Sequence, residues 1–328
     1  MSDRSSSPHT GAVRWGILGC GDVTEVKSGP GLQNVDRSSI VNVMRRDGAK
    51  AADYAARHNV PRSTDDADAL IHDPEVSAVY VATPPSSHAD YAIRAMEAGK
   101  DVLVEKPMAM NPAECAAMGD AVKRTGRKLS VAYYRRALPR FEKLREIATD
   151  GTIGDVRMVE VRHFRPTGSG PDQPWKIDPA IGGGGLFTDM QSHTLDWLDH
   201  AFGAPIGVTG LKKQQGGTYE AEDLVSYILD FGAFPAVGLC AYSTGRDEEV
   251  VTIHGSKGSA SMGFFRPCEI TIDMAGETRT IELPDEPAFH HLLVEKVVAH
   301  FLDDAPNPCD VSAGSRTNAL LEKIRSGI

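Results

Sequence analysis

The sequence predicts two domains: an α/β domain with a doubly wound parallel sheet, then an α+β domain with a mostly antiparallel sheet. Three observations carry this. Short apolar runs alternate with helix-patterned segments up to residue 133. A glycine-rich turn, Gly19-Cys20-Gly21, directly follows the first apolar run. From residue 155 onward, runs of strand character succeed one another with short turns and few helices between them. The expected boundaries are a disordered tail over 1–11, a first domain over 12–133 and a second over 134–328.

Each element of the first domain has a local reason. Residues 13–18 (VRWGIL) are a buried strand, and the chain enters a helix from Gly21. Residues 39–44 (SIVNVM) have β-branched strand character, and 48–58 is Ala-rich and helical. Residues 78–82 (AVYVA) form a strand stopped by Pro84 and Pro85. Over 86–98, Ala89, Ala92, Ile93 and Met96 recur at helical spacing on one face. A strand at 101–104 (DVLV) precedes Asn111-Pro112-Ala113-Glu114, where Asn caps, Pro suits the first turn and Glu sits three residues past the cap. Residues 129–133 close the series as a strand.

In the second domain, strands are expected at 156–163, 207–212, 224–231, 236–242, 250–254, 259–264, 270–274 and 278–283. Phe231-Gly232, Gly255-Ser256-Lys257-Gly258 and Ala275-Gly276 mark turns between them. Helical patterns occupy 185–202, 288–303 and 316–324.

Composition narrows the function. The net charge of −10 argues against nucleic acid or an anionic membrane as the main partner, since both need a basic patch. Five cysteines without a CxxC pair point away from a disulfide framework or structural zinc and towards a reducing cytoplasm. No apolar run reaches the roughly 20 residues of a membrane span, and the N-terminal stretch lacks the apolar core of a secretory signal.

Three segments carry chemistry. In Gly19-Cys20-Gly21-Asp22-Val23-Thr24, two glycines allow a tight turn and close backbone approach to a pyrophosphate at a helix start; the third glycine of the usual fingerprint is Thr24. A ribose-holding acid is expected near the end of the second strand, but Arg45 and Arg46 stand there and Asp47 arrives late. Guanidinium groups suit a 2′-phosphate, so NADP is preferred to NAD, unless both arginines are merely solvated. Glu105-Lys106-Pro107 follows a strand at the edge where ligands sit in parallel sheets, although a surface lysine reads the same way in isolation. Four glycines at 182–185 give a loop able to pass close to a ligand. They lead to Asp189 and His193, four apart on one helix face, a spacing that also suits a surface pair. A metal centre is not expected, because no second ligand cluster accompanies them.

Taken together, GCGDVT, the run VATPPSSHADYAIRAMEAGKDVLVEKP and the segment GGGGLFTDMQSHTLDWL resemble the glucose–fructose oxidoreductase / inositol dehydrogenase (Gfo/Idh/MocA) family over nearly the whole chain after the tail. The resemblance implies a Rossmann domain, a second domain with a large open-faced sheet, and a sugar or polyol substrate between them. It makes Lys106, Asp189 and His193 the catalytic trio. Gly19, Gly21, Asp22, Val23, Arg45, Arg46, Thr83, Pro84, His88, Glu105 and Lys106 would line the cofactor. Tyr134, Arg165, Trp175, Lys176 and Asp178, with His163 beside them, are candidates on the substrate side. It further implies a homodimer or homotetramer associating through outer sheet faces, and a C-terminal helix at 316–324 packing back on the first domain. One departure stands out: Gly29, Pro30 and Gly31 interrupt the helix that should follow the phosphate turn.

The expected activity is hydride transfer at a carbinol or keto carbon of a sugar, anhydrosugar or cyclic polyol. Either His193 or a desolvated Lys106 would take the proton, with Asp189 orienting His193 or a substrate hydroxyl. Two other readings use the same fold. One is a non-catalytic NAD(P)-binding regulator; the other is a glycoside-cleaving enzyme that oxidises its substrate transiently.

Overall fold

The computed structural model describes residues 9–168, 173–266, 268–283 and 289–327. The chain divides into two compact units, Met1–Ala137 with Glu286–Ser315, and Leu138–Asp285 with Arg316–Ile328.

The first unit opens with β1 (Val13–Leu18), all but one of whose residues are buried. The expected helix is broken into α1 (Asp22–Val26) and α2 (Gly29–Asn34). A Cβ on Gly29 would overlap the Thr24 carbonyl and one on Gly31 would meet the His291 backbone at 3.3 Å, so the glycines at the break serve close packing. Next come β2 (Ser38–Met44), α3 (Gly48–Arg57), β3 (Arg62–Thr64), α4 (Ala67–Ile71) and β4 (Ala78–Val81). After α5 (His88–Glu97) and β5 (Asp101–Val104), α6 (Pro112–Thr125) and β6 (Leu129–Val131) complete the sheet. The Asn111 side chain accepts the Glu114 N–H at 3.0 Å, and Glu114 reaches back to the Met110 N–H, as the capping pattern requires. All strands pair in parallel in the order β3-β2-β1-β4-β5-β6. Ligands of such sheets lie at the carboxyl ends of the strands.

In the second unit, α7 (Pro139–Thr149) precedes the long central strand β7 (Val156–Pro166). A short α8 (Pro179–Gly182) and a single π-helical turn, Phe187–Gln191, lead into α9 (Ser192–Phe202). Seven strands follow: β8 (Gly207–Lys213), β9 (Leu224–Asp230), β10 (Pro235–Thr244), β11 (Glu248–Gly255), β12 (Ser259–Met262), β13 (Ile270–Met274) and β14 (Glu277–Ile281). The eight-stranded order is β14-β13-β12-β11-β7-β10-β9-β8, and only the β10–β7 pair is parallel. The chain closes with α10 (His291–Asp303) and α11 (Val311–Ser326).

Three boundary expectations are corrected. The first unit extends to Ala137 and takes back Glu286–Ser315, so the second domain is not the continuous 134–328. The reason is apolar: Leu293, Val294, Val297, Val298 and Phe301 of α10 join the buried cluster of Trp15, Ile17 and Tyr80. Residues from Arg316 onward belong to the second unit. There Arg316 grips the buried Asp199 carboxylate in a two-pronged pair at 2.7 and 2.8 Å, so it is α10 and the first turn of α11 that return to the first unit. Residues 1–8 of the expected tail lie outside the described residues, but His9 is packed. Its ring bridges Ser77 and Asp101, both at 2.9 Å, beneath the amino ends of β4 and β5.

Candidate active site

At the carboxyl edge of the parallel sheet, Gly19 has φ +91°, and a Cβ there would lie 2.9 Å from the Ala82 carbonyl and from Thr83. Only glycine fits. Gly21 differs, since a Cβ on it would meet nothing nearer than the Gly19 oxygen at 3.9 Å. The space over Gly21 is therefore open to a ligand's phosphates. Thr24, standing for the missing third glycine, is fully buried. Its hydroxyl accepts the Gly21 N–H at 3.0 Å and donates to the Gly21 carbonyl at 2.7 Å, pinning the turn. Asp22 is exposed and Val23 half-buried in this first turn.

At the end of β2, Arg45 is half-buried and donates to the Cys20 carbonyl at 3.4 Å, while Arg46 is exposed. Asp47 is occupied as the N-cap of α3, where it accepts the Lys50 N–H at 3.2 Å. That contact holds its carboxyl below the usual range. This carboxylate thus serves the helix, and Arg45 stands beside the glycine turn. An open glycine turn flanked by arginine fits a dinucleotide's phosphates.

The loops after β4 and β5 are tied to each other. His88 is fully buried; its Nδ1 lies 2.9 Å from the Pro107 carbonyl and its Nε2 2.8 Å from the Thr83 carbonyl. Burial pushes this imidazole down despite the two carbonyls. His88, expected along the cofactor, clamps Thr83 to Pro107. Ser87 Oγ donates to Thr83 Oγ1 at 2.8 Å, and Pro84 starts the short 3-10 turn that carries Ser87. Glu105, also expected at the cofactor, is 8% exposed. Its carboxylate accepts the Tyr80 hydroxyl and the Lys106 N–H (3.1 Å), with His290 Nε2 at 3.3 Å. Burial alone would raise this carboxyl; His290, Tyr80 and the Lys106 charge outweigh it and bring it to about 2. Burial drives the Tyr80 phenol well above its usual range, so it stays a donor. Lys106 follows this anchored residue, half-buried, through a cis bond to Pro107. Tyr134, read as a substrate residue, packs on the His290 ring at 4.7 Å between centroids, with Arg135 over its face.

The second unit holds the other candidates. Asp189 sits in the π-helical turn and His193, 6% exposed, in the first turn of α9. Such one-turn insertions recur at functional sites. Lys176 Nζ is 3.5 Å from Asp189 Oδ2 and 5.9 Å from the Trp175 ring centroid, so the Trp175-Lys176 segment meets the helix. Trp175 Nε1 donates to Gln173 at 2.7 Å. Asp178, a candidate on the substrate side, caps α8 through the Ala180 N–H at 2.9 Å. Arg165 lies half-buried near the end of β7.

At 182–185, where a loop passing close to a ligand is expected, Gly182, Gly184 and Gly185 are packed against neighbouring parts of the protein. A Cβ on Gly182 would lie 2.8 Å from the Trp175 carbonyl, one on Gly184 would overlap Thr188, and one on Gly185 would lie 2.7 Å from Ala221 Cβ. Gly183 has φ +78°, ends α8 and gives its carbonyl to Arg325 Nη1 at 2.7 Å. Arg325 also pairs at 2.7 Å with the buried Glu222. These glycines let neighbouring elements press against the start of the helix that carries Asp189.

Other residues at these sites were not singled out from the sequence. Gln191, fully buried, reaches His163 Nδ1 at 3.0 Å and so ties the π turn to β7. Phe265 stacks on His163 with ring centroids 4.7 Å apart. The polar run of Thr188, Asp189, Gln191, Ser192 and His193 at a helix start was a usable signal; the pairing of Glu105 with the distant His290 left none.

Two family models match the chain: residues 13–133 the "Oxidoreductase family, NAD-binding Rossmann fold", and residues 141–261 the "GFO/IDH/MocA C-terminal domain". Oxidoreductase P35 of Formosa agariphila is 35% identical over 94% of this chain and 97% of its own length. The trans-1,2-dihydrobenzene-1,2-diol dehydrogenase of Sus scrofa is 29% identical over 84% of this chain and 82% of its own. The crystal structure of the aldose-aldose oxidoreductase from Caulobacter crescentus, complexed with glycerol, superposes with a TM-score of 0.85 at 25% identity, covering 97% and 98% of the two chains. The strand order, the open glycine turn and the helix bearing Asp189 and His193 thus belong to a member of the GFO/IDH/MocA family of NAD-binding oxidoreductases.

Proposed function

We propose that this oxidoreductase transfers a hydride between a nicotinamide cofactor and a carbinol or keto carbon of a sugar, anhydrosugar or cyclic polyol, with Lys106, Asp189 and His193 as its catalytic groups. The observation that carries the reading is the second unit's helix start. A half-buried Asp189 is paired with Lys176, and a buried His193 stands one turn on. Relatives named for aldoses and for a cyclic dihydrodiol agree with a hydroxylated substrate.

Oxidation removes a hydride from the carbinol carbon and a proton from its oxygen. When bound, the nicotinamide accepts that hydride or, in reduction, supplies it. His193 takes the proton from the carbinol oxygen, the usual part of an imidazole in general acid–base catalysis. The Lys106 ammonium hydrogen-bonds the same oxygen and stabilises its developing charge. Asp189, already holding Lys176, orients a substrate hydroxyl. The Arg45 guanidinium favours NADP over NAD, because the Asp47 carboxylate is committed to the α3 cap.

No helix among the described residues is long and apolar enough to cross a membrane. Five unbridged cysteines suit a cytoplasmic setting. Leu211, Ile228 and Leu239, exposed by 52%, 49% and 42%, share one face of β8, β9 and β10. Copies associate through this face as a dimer or tetramer; a monomer in sedimentation equilibrium overturns that assignment.

The deciding experiment is a spectrophotometric panel of sugars, inositols and linear polyols against NAD⁺ and NADP⁺. Net NAD(P)H formation from a cyclic polyol supports the reading. Cofactor binding without turnover favours a regulator, and glycoside cleavage without net NAD(P)H favours transient oxidation. Lys106→Met is expected to cut turnover roughly 10³-fold with cofactor binding retained, and His193→Asn roughly 10²–10⁴-fold. A near-normal rate in either variant removes that residue from the site.

A further inference from the structure

We propose that Phe265 is a specificity-determining residue whose ring forms an aromatic platform for the C–H face of a cyclic substrate, selecting rings over open-chain polyols. This rests on the hydride-transfer reading above.

Phe265 is held unusually firmly for a loop residue. The Glu249 carboxylate accepts three consecutive backbone N–H groups of its turn, from Phe264 and Phe265 at 2.6 Å and from Arg266 at 2.9 Å. From the opposite side the buried Arg140 donates to the Arg266 carbonyl at 2.9 Å, and Arg266 itself pairs with Asp247. The two phenylalanines of the turn then part. Phe264 goes inward, 2% exposed and edge-on to Phe141 at 4.9 Å. Phe265 remains half-buried, stacked on His163 at 4.7 Å and edge-on to His193 at 6.5 Å.

A turn fastened this way, yet leaving one ring partly in water beside the proposed base, puts an apolar surface where substrate must come. His193 lies one helical turn from Asp189, whose carboxylate holds Lys176. The substrate therefore meets an aromatic face on one side and charged hydrogen-bonding groups on the other. A hydroxylated ring matches both: its C–H bonds gather on one face and its hydroxyls radiate from the rim. C–H groups are drawn to the electron-rich face of an aromatic ring. A linear polyol presents no such face.

The test uses the full chain and the variants Phe265→Leu and Phe265→Ala, with methyl glucopyranoside and inositol as cyclic probes and sorbitol as the linear one. In steady-state assays, Phe265→Ala is expected to lower kcat/KM for the best cyclic substrate about thirtyfold, mainly through KM, and to leave sorbitol within about threefold. Saturation-transfer NMR with irradiation of aromatic protons reads the contact without turnover. Transfer to the C–H protons of one ring face, relative to the ligand's other protons, is expected to be largest in the parent protein and to fall severalfold in Phe265→Leu, which keeps an apolar side chain to hold the turn. Equal losses on cyclic and linear substrates, or a transfer pattern unchanged in Phe265→Leu, overturn the proposal. NAD(P)H formation from linear alcohols alone also overturns it while the hydride-transfer reading stands. Aromatic transfer to a cyclic probe without any NAD(P)H formation does the reverse.

Discussion

The molecule has two glycine-rich segments, and they work in opposite ways. At Gly21 a side chain would meet open space, with nothing closer than 3.9 Å. At Gly184 and Gly185 it would collide with Thr188 and Ala221. One segment leaves room for a ligand's phosphates; the other is filled by the protein, so that Arg325, Glu222 and Thr188 brace the helix bearing Asp189. The first unit holds its site loops by buried polar ties through His88 and Glu105, whereas the second adds close glycine packing to such ties as Gln191 to His163 and Arg325 to Glu222. Glycine content alone does not tell a binding loop from a packed one. What occupies the missing Cβ's place does.

Substitutions at each kind of position probe this contrast. The largest effect is expected from Gly184→Ala, where overpacking against Thr188 should cost about 3 kcal/mol and lower Tm by several degrees. An unchanged melting curve would show that the segment is open after all. Next, Glu105→Gln should cost about 2 kcal/mol at neutral pH by weakening the ties to Tyr80 and His290. Glu105 is depressed to about 2 from 4.5, so its contribution is complete above pH 4.5 and is lost as pH falls through about 2. The stability gap between parent and variant should therefore close over that window in acid-unfolding curves. Glu142 of the second unit, where His200 and Arg145 outweigh burial to reach about 2, destabilises both proteins alike and does not alter the gap. A gap independent of pH would remove Glu105 from this role.

Gly21→Ala should leave Tm unchanged and weaken cofactor binding about tenfold, since its Cβ intrudes only on a ligand. Calorimetric titration with NADP⁺ checks this, and a loss of stability instead would erase the distinction from Gly184. The smallest effect is expected for Arg45→Ala, a roughly fivefold loss of NADP⁺ affinity with NAD⁺ little changed. Equal losses on both cofactors would reject the 2′-phosphate assignment.

Much of the first unit was legible because its elements are local. Strand 13–18, the Asn111 cap and the apolar face of 86–98 depend on side chains within a turn or two, and the structure has them at or within a few residues of those positions. The edge strand β3 and the short α4 escaped notice because three- and five-residue elements carry little periodicity. Of the candidate site, the sequence placed Gly19, Arg45, Lys106, Asp189 and His193 on the elements where they are found. It did not reveal the partners of His88, Glu105 and Asp178, which are backbone groups or distant side chains that no spacing rule marks.

By itself, then, the sequence determined the alternation that makes a parallel sheet, the turn over which a dinucleotide fits, and the order of the chemical groups along the chain. These follow from backbone periodicity and local hydrogen bonding. Only the tertiary structure decided that 286–315 rejoins the first unit, that Gly182, Gly184 and Gly185 are packed, and that Phe265 stands beside His193. Each of those depends on which distant surfaces exclude water together, and apolar burial is non-directional, so it leaves no mark in the order of residues.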